Sequence, residues 1–124
     1  MKVIIIGGGQ VGAYIADLLL KNDCSVKVIE NRENVLDKLK DELPHEVIVH
    51  GSGTEPNVLE SAGIADADVV AAVTGADETN LVASTIAKFE FAVPRVIARV
   101  NNPKNSWLFD SGMGVDVRIS QADL

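Results

Sequence analysis

VIIIGGGQVG, residues 3–12, sets four β-branched residues directly against a run of glycines and then opens a helical pattern. A short, continuous apolar run that stops at glycine reads as a strand buried on both faces, as in a parallel sheet. From Gln10 onward Val11, Tyr14, Ile15, Leu18 and Leu19 recur at spacings of three and four, which predicts a helix whose apolar stripe lies on that sheet. Between strand and helix, Gly7, Gly9 and Gly12 occupy the positions of a G-x-G-x-x-G motif. In that context the first glycine permits a tight turn and the second lets backbone approach a pyrophosphate. The third lets the helix pack close to the strand, and the helix N-terminus offers unpaired N–H groups. The motif alone leaves open that the glycines only turn the chain.

The same grammar continues outward. Ser25–Glu30 reads as a strand, 33–43 as a helix with Val35, Leu36 and Leu39 inward, and 46–50 as a third strand. Gly51–Thr54 is a turn. Pro56 opens a helix carrying Val58, Leu59 and Ala62, and Gly63 ends it. Residues 69–73 read as the fourth strand, and Leu81, Val82, Thr85, Ile86 and Phe89 as the stripe of the next helix. Residues 96–99 form the fifth strand, Pro103 starts a short helix with Trp107 and Leu108, and 115–119 form the sixth strand after a turn at Gly112 and Gly114. Strands alternating with helices require right-handed crossovers, so the expected fold is a doubly wound, Rossmann-like α/β sheet of six parallel strands, order 3-2-1-4-5-6, flanked by helices. VIIIGGGQ and VVAAVTGADE echo each other as the two mononucleotide-binding halves.

With 124 residues the chain makes one domain. The few aromatic residues, 4 % of the chain, suit a core of Val, Ile, Leu and Ala under helices. A net charge of -7 argues against nucleic acid as a partner, because phosphate backbones are bound by clustered Lys and Arg. No apolar run approaches the roughly 18 to 20 residues that span a bilayer, so a cytosolic chain without direct membrane insertion is expected. The lone Cys24 is consistent with a reducing compartment.

Glu30 lies 18 residues after Gly12, at the expected C-terminal end of the second strand. There a carboxylate accepts hydrogen bonds from both ribose hydroxyls of an adenosine and repels the 2′-phosphate of NADP, which favours NAD, NADH or an adenine mononucleotide. Asn31 and Arg32 follow; Arg32 reads equally as a phosphate or adenine contact and as an exposed loop arginine. Ligands in such sheets lie beyond the carboxyl ends of the strands. Gly51, Ser52, Gly53 and Thr54 therefore suit the adenine side, and Thr74, Gly75 and Ala76 allow close backbone approach beside the first turn. Arg99 ends the fifth strand on the same edge, facing either a phosphate or the nicotinamide half, or else pairing with Asp77 or Glu78. Asn80 either fixes the neighbouring loop by hydrogen bonds or is a poor helix former near an N-terminus. No catalytic residue or metal ligand is expected: His45 and His50 lack ligand spacing, His50 caps the third strand, and Cys24 falls at the far end of the sheet.

MKVIIIGGGQVG, KVIE, HGSGT, ESAGIADADVVAAVTGADETNLVAS and VIARVNNP, in this order, resemble the N-terminal RCK or KTN (TrkA-N) domain of Trk-type potassium-uptake regulators over essentially the whole chain. The resemblance implies a regulatory domain without turnover that binds NAD or NADH, with AMP, ADP or ATP in the same crevice. It also implies homodimers or gating rings beneath a potassium channel or transporter subunit, at the cytoplasmic face of the cell membrane. By position, the turn Gly7, Gly8, Gly9, Gln10, Val11 and Gly12 would hold the diphosphate and Glu30 the ribose. Ser52–Thr54 would take the adenine side, Thr74 and Gly75 the opposite turn, and Arg99 the far phosphate or nicotinamide end. Family members continue beyond the sixth strand into a crossover helix and a smaller domain, so residues 1–124 are expected to be a single NAD-binding domain taken from a longer protein. The rival expectation is the cofactor-binding fragment of an NAD-dependent oxidoreductase.

Overall fold

The computed structural model describes residues 1–120, and among them six parallel strands form one sheet in the order β3-β2-β1-β4-β5-β6. The elements are β1 (Lys2–Ile6), α1 (Gln10–Lys21), β2 (Ser25–Glu30), α2 (Glu33–Glu42), β3 (Ile48–His50), α3 (Pro56–Ser61), β4 (Val69–Ala72), α4 (Asp77–Thr85), β5 (Arg95–Val100) and β6 (Val117–Ser120). This is the Rossmann-like arrangement that the strand–helix alternation predicts. Register sets the site: Ile6 lies opposite both Ile29 and Ala72, and Glu30 opposite His50. The loops that leave β1, β2, β3 and β4 therefore meet along one edge.

Successive residues of β1 feed opposite cores, as a period of two requires. Ile4 and Ile6 join Val70, Ala72, Val96 and Ala98 under Leu59 of α3 and Ala83 of α4. Val3 and Ile5 join Val26 and Val28 under Ala13 and Ala16 of α1 and Leu39 of α2.

The stripes expected for α2 and α3 lie inward, with Leu36, Leu39, Leu59 and Ala62 buried, and Ile15, Leu19, Leu81 and Ile86 pack against the cores; α1 and α4 nevertheless turn some of their large apolar residues outward. In α1 the buried residues are Gly12, Ala13 and Ala16, while Tyr14 is 68 % exposed and Leu18 is also exposed. Gly12 lies against the β1 turn and fixes the rotation, so small residues face the sheet and larger ones turn outward. Likewise Ala83 and Ala87 carry the contact on the other face, leaving Val82 and Phe89 exposed. After Thr85 the helix widens into a π turn, Ile86–Glu90. Trp107 is exposed on a 3-10 segment, Pro103–Leu108, and Phe109 fills the core in its place. β3 begins only at Ile48, because Pro44 leads into a 3-10 turn at His45–Val47. β6 begins at Val117, since Asp116 is spent bonding Val96 through both its N–H and its carboxylate. Among the described residues no helix is long and apolar enough to cross a membrane.

Candidate functional site

The strand-end loops enclose a crevice of about 390 Å³, lined by Ile6, Gly7, Ile29, Glu30, Asn31, Arg32, Gly51, Ser52, Gly53, Thr74, Gly75, Ala76 and Thr79. Ten of the residues singled out from the sequence thus come together. A larger groove of about 680 Å³ runs between α1 and α2 and borders Gly8, Gly9 and Gln10 at one end. Its walls are side chains of α1, α2 and Leu43, from buried Ala13 and Leu39 to exposed Tyr14, Lys38 and Glu42, whereas the strand-end crevice gathers backbone N–H groups, hydroxyls and a carboxylate, so the polar chemistry sits in the smaller space.

Gly7 turns the chain at φ +110°, a region that favours glycine, and its N–H donates to the Ile29 carbonyl at 2.9 Å. A Cβ on Gly12 would stand 1.9 Å from the Gly7 carbonyl oxygen, so the third glycine is required by the closeness of α1 to the turn. Gly8, whose position in the motif tolerates other residues, has two roles. Its N–H donates to Glu30 Oε1 at 2.8 Å, and a Cβ there would meet Leu39 Cδ1 at 2.4 Å. α1 starts after Gly9 with no side-chain cap, which leaves its first N–H groups facing the turn. Val11 and Gly12 form the first turn behind this mouth and do not line the crevice.

Glu30 closes the end of β2 with its side chain 3 % exposed. Oε1 accepts from Gly8 N–H and from Arg32 Nη2 at 3.0 Å; Oε2 accepts from the N–H groups of Asn31 and Arg32 at 3.0 and 2.8 Å, and from Arg32 Nε at 3.0 Å. Burial pushes this carboxyl up, but the Arg32 guanidinium and the N–H groups of Gly8 and Arg32 outweigh it and hold the pKa down to about 2, from an ordinary 4.5. A carboxylate whose folded pKa is depressed stabilises the fold above its unfolded pKa, and that stability is lost as the pH falls through the folded value. Between pH 4.5 and 2 the protein is therefore expected to lose roughly 2 to 3 kcal/mol through this group. In urea titrations Glu30→Gln should lack that part of the acid slope; an identical slope would show that the carboxylate is not held by these donors.

Across the crevice, Asn80 is fully buried and spends its whole amide on the β4 loop. Its Oδ1 accepts from Thr74 N–H at 3.0 Å and Thr74 Oγ1 at 2.6 Å, and its Nδ2 donates to the carbonyls of Thr74 and Arg99 at 3.0 and 2.9 Å. Of the two readings of Asn80, the structure supports the one in which it fixes the loop, from beneath rather than from within the crevice. Ser52 and Thr54 pair their hydroxyls at 2.7 Å and stiffen the β3 loop.

Asp77 does not serve Arg99. Its carboxylate, buried yet held below the usual range by its donors, accepts from Asn101 N–H, Asn102 N–H and the Asn101 and Asn105 amides. Arg99 stands outside the crevice lining, its Nε buried without a hydrogen-bond partner among the described residues. Sequence reasoning missed this Asp77 clasp, whose signal was the asparagine-rich stretch after β5, and missed Thr79 on the crevice wall. His50 is exposed at the end of β3, 3.6 Å from Glu33. Cys24 precedes β2 at the opposite end of the sheet.

Residues 3–121 match the TrkA-N domain family. The Trk system potassium uptake protein TrkA of Mycobacterium tuberculosis (strain ATCC 25618 / H37Rv) is 43 % identical over 120 residues, covering 97 % of this chain and 54 % of that protein. The Trk system potassium uptake protein TrkA homolog of Methanothermobacter thermautotrophicus (strain ATCC 29096 / DSM 1053 / JCM 10044 / NBRC 100330 / Delta H) is 40 % identical, with 97 % and 54 % covered. The chain thus spans about half the length of these curated relatives. Among solved structures, the GsuK channel bound to NAD superposes with TM-score 0.81 at 25 % identity, covering 98 % of this chain and 21 % of that one. GsuK bound to ADP gives 0.81 at 26 %, covering 98 % and 30 %.

Proposed function

The chain belongs to the TrkA-N domain family, and from that premise we propose that residues 1–124 form one nucleotide-binding domain that senses NAD or NADH, or AMP, ADP or ATP, and regulates potassium uptake. The observation that carries this reading is the buried, ionised Glu30 at the end of β2, bonded to the glycine turn. A ribose diol would bond that carboxylate, and the phosphates would rest on the N–H groups of Gly9 and Gln10 at the head of α1, the Gly8 N–H being held by Glu30. The negative carboxylate selects against a 2′-phosphate. GsuK, of the same fold, is described in NAD-bound and ADP-bound forms, which supports both ligand classes for this domain.

In this reading the domain performs no turnover. It acts at the cytoplasmic face of the membrane on a potassium channel or transporter subunit, as a homodimer or larger ring. Unequal affinity of the nucleotide for two arrangements of neighbouring domains supplies the signal, and a coupling of roughly 1 to 3 kcal/mol shifts a gate about 5- to 150-fold.

Calorimetry with NAD, NADH and ADP tests the site. Saturable binding is expected, and Glu30→Ala should weaken it about ten- to a hundredfold, because a charge-assisted bond is lost. Unchanged affinity would overturn the ribose assignment, and oxidation of NADH in the presence of small carbonyl compounds would replace the regulatory reading with an oxidoreductase one.

A further inference from the structure

The Arg32 side chain holds Glu30 as a fork. Nε reaches Oε2 and Nη2 reaches Oε1, both at 3.0 Å, so one guanidinium bond falls on each oxygen. The remaining donors are backbone N–H groups of Gly8, Asn31 and Arg32, which the fold supplies whether or not a ligand is present. Two carboxylate oxygens offer about four lone-pair positions, and here they receive five N–H donors. The carboxylate has no acceptor position left for a ligand. Glu30 is 3 % exposed beneath an Arg32 side chain that is 54 % exposed, so the guanidinium covers the carboxylate from the solvent side.

A ribose cis-diol is also a two-donor fork that places one O–H on each carboxylate oxygen. Resting on the nucleotide-binding reading above, we propose that Arg32 competes with the diol for Glu30 and makes the site specific for ligands that carry both a ribose and a phosphate.

A nucleoside must displace the guanidinium and gives it no new partner. A nucleotide displaces it and receives it. The Arg32 guanidinium already stands beside the second glycine of the turn, with Nη2 3.8 Å from where a Gly9 Cβ would lie. That is where the motif brings a phosphate to the backbone, so a rotation of the exposed side chain carries the charge from carboxylate to phosphate. Guanidinium bonds phosphate as a fork as readily as it bonds carboxylate. Arg32 is thus a specificity-determining residue, working by negative selection against adenosine and by direct contact with its phosphorylated forms.

The test titrates this chain and its Arg32→Gln and Arg32→Lys variants with adenosine, AMP and ADP by calorimetry, with thermal melts to confirm that each variant is folded. Wild type should prefer ADP over adenosine by at least a hundredfold. Arg32→Gln should bind adenosine more tightly than wild type and ADP more weakly, cutting that preference at least tenfold and flattening the dependence of ADP binding on salt. Arg32→Lys, which keeps the charge but loses the fork, should bind adenosine more tightly than wild type and retain most of the ADP affinity. A preference that stays within twofold of wild type in Arg32→Gln, including the case where both ligands weaken together, overturns the inference and leaves nucleotide binding standing. Wild type that binds neither AMP, ADP nor NAD overturns the nucleotide reading and this inference with it.

Discussion

Gly12→Ala should destabilise the domain by about 4 kcal/mol or more and lower its melting temperature by more than about 10 °C. The added Cβ would stand 1.9 Å from the Gly7 carbonyl oxygen and 3.0 Å from the Gly7 carbonyl carbon. Both partners are backbone, so no rotamer change relieves the overlap. α1 would have to withdraw from β1 by roughly an ångström, pulling Ala13 and Ala16 off Val3, Ile5 and Val28, in a core where small voids already cost stability. Replacing glycine by alanine within a helix gains at most about 1 kcal/mol of propensity, which does not offset this. Nucleotide affinity should fall together with stability, because the Gly7 turn is also wedged against Thr74: a Gly7 Cβ would lie 3.0 Å from Thr74 N. Gly75→Ala is the control, since a Cβ there meets nothing within 4 Å among the described residues. Chemical denaturation of the two variants decides the matter, and a Gly12→Ala protein within 1 kcal/mol of wild type would show that α1 is free to move off the turn.

The same glycine explains how far the sequence could be read. Strand order and the converging loops were legible because they rest on strong local signals: buried β-branched runs, glycine and proline breakers, and strict strand–helix alternation. Helix phase was legible in α2 and α3, where Leu36, Leu39 and Leu59 are buried as expected, but only in part from the large apolar residues of α1 and α4. Tyr14 and Leu18, or Val82 and Phe89, look like an inward stripe until Gly12, Ala13 and Ala16, or Ala83 and Ala87, are recognised as the residues small enough to let the helix lie flat on the sheet. Glu30 was legible from its distance to the glycines. Its saturation by Arg32 was not, because a two-residue spacing admits many side-chain arrangements and the choice depends on Gly8 offering its N–H from across the turn.

Arg99 shows a different limit. Its position at the end of β5 was readable, but its proposed neighbour Asp77 is occupied by three asparagines that the sequence displays only as a polar run. The clasp from Asp77 to the chain after β5, and the tie from Asn80 to Thr74 and Arg99, join the two halves of the strand-end edge. The crevice wall opposite Glu30 is therefore held by uncharged amides around one ionised aspartate, and its shape depends on donor and acceptor polarity rather than on apolar packing.

Asn80→Asp isolates that polarity, because it keeps size and shape and changes only an NH₂ into an oxygen. The two acceptor bonds from Thr74 N–H and Oγ1 survive, but the carbonyls of Thr74 and Arg99 lose the Asn80 donor, the Thr74 carbonyl keeping only Asn101 Nδ2 at 2.9 Å, and both face a negative charge at a position that is fully buried. An uncompensated buried charge of this kind costs on the order of 4 kcal/mol at pH 7. The sign of the pH dependence follows from the same geometry. Burial and the two carbonyls favour the protonated acid, so the folded pKa of the new aspartate rises above its unfolded value near 3.9. Its penalty is then small below that unfolded value and grows as the pH rises through the folded one, the reverse of the behaviour expected of Glu30. Protonated, the acid can also return one O–H donor to the Thr74 or Arg99 carbonyl. Urea denaturation should therefore show Asn80→Asp much closer to wild type at pH 4 than at pH 7, and the nucleotide affinity recovering in parallel as the Thr74 loop is restored. A stability deficit that is the same at both pH values would mean that the side chain reaches water, and that the amide does not hold the loop.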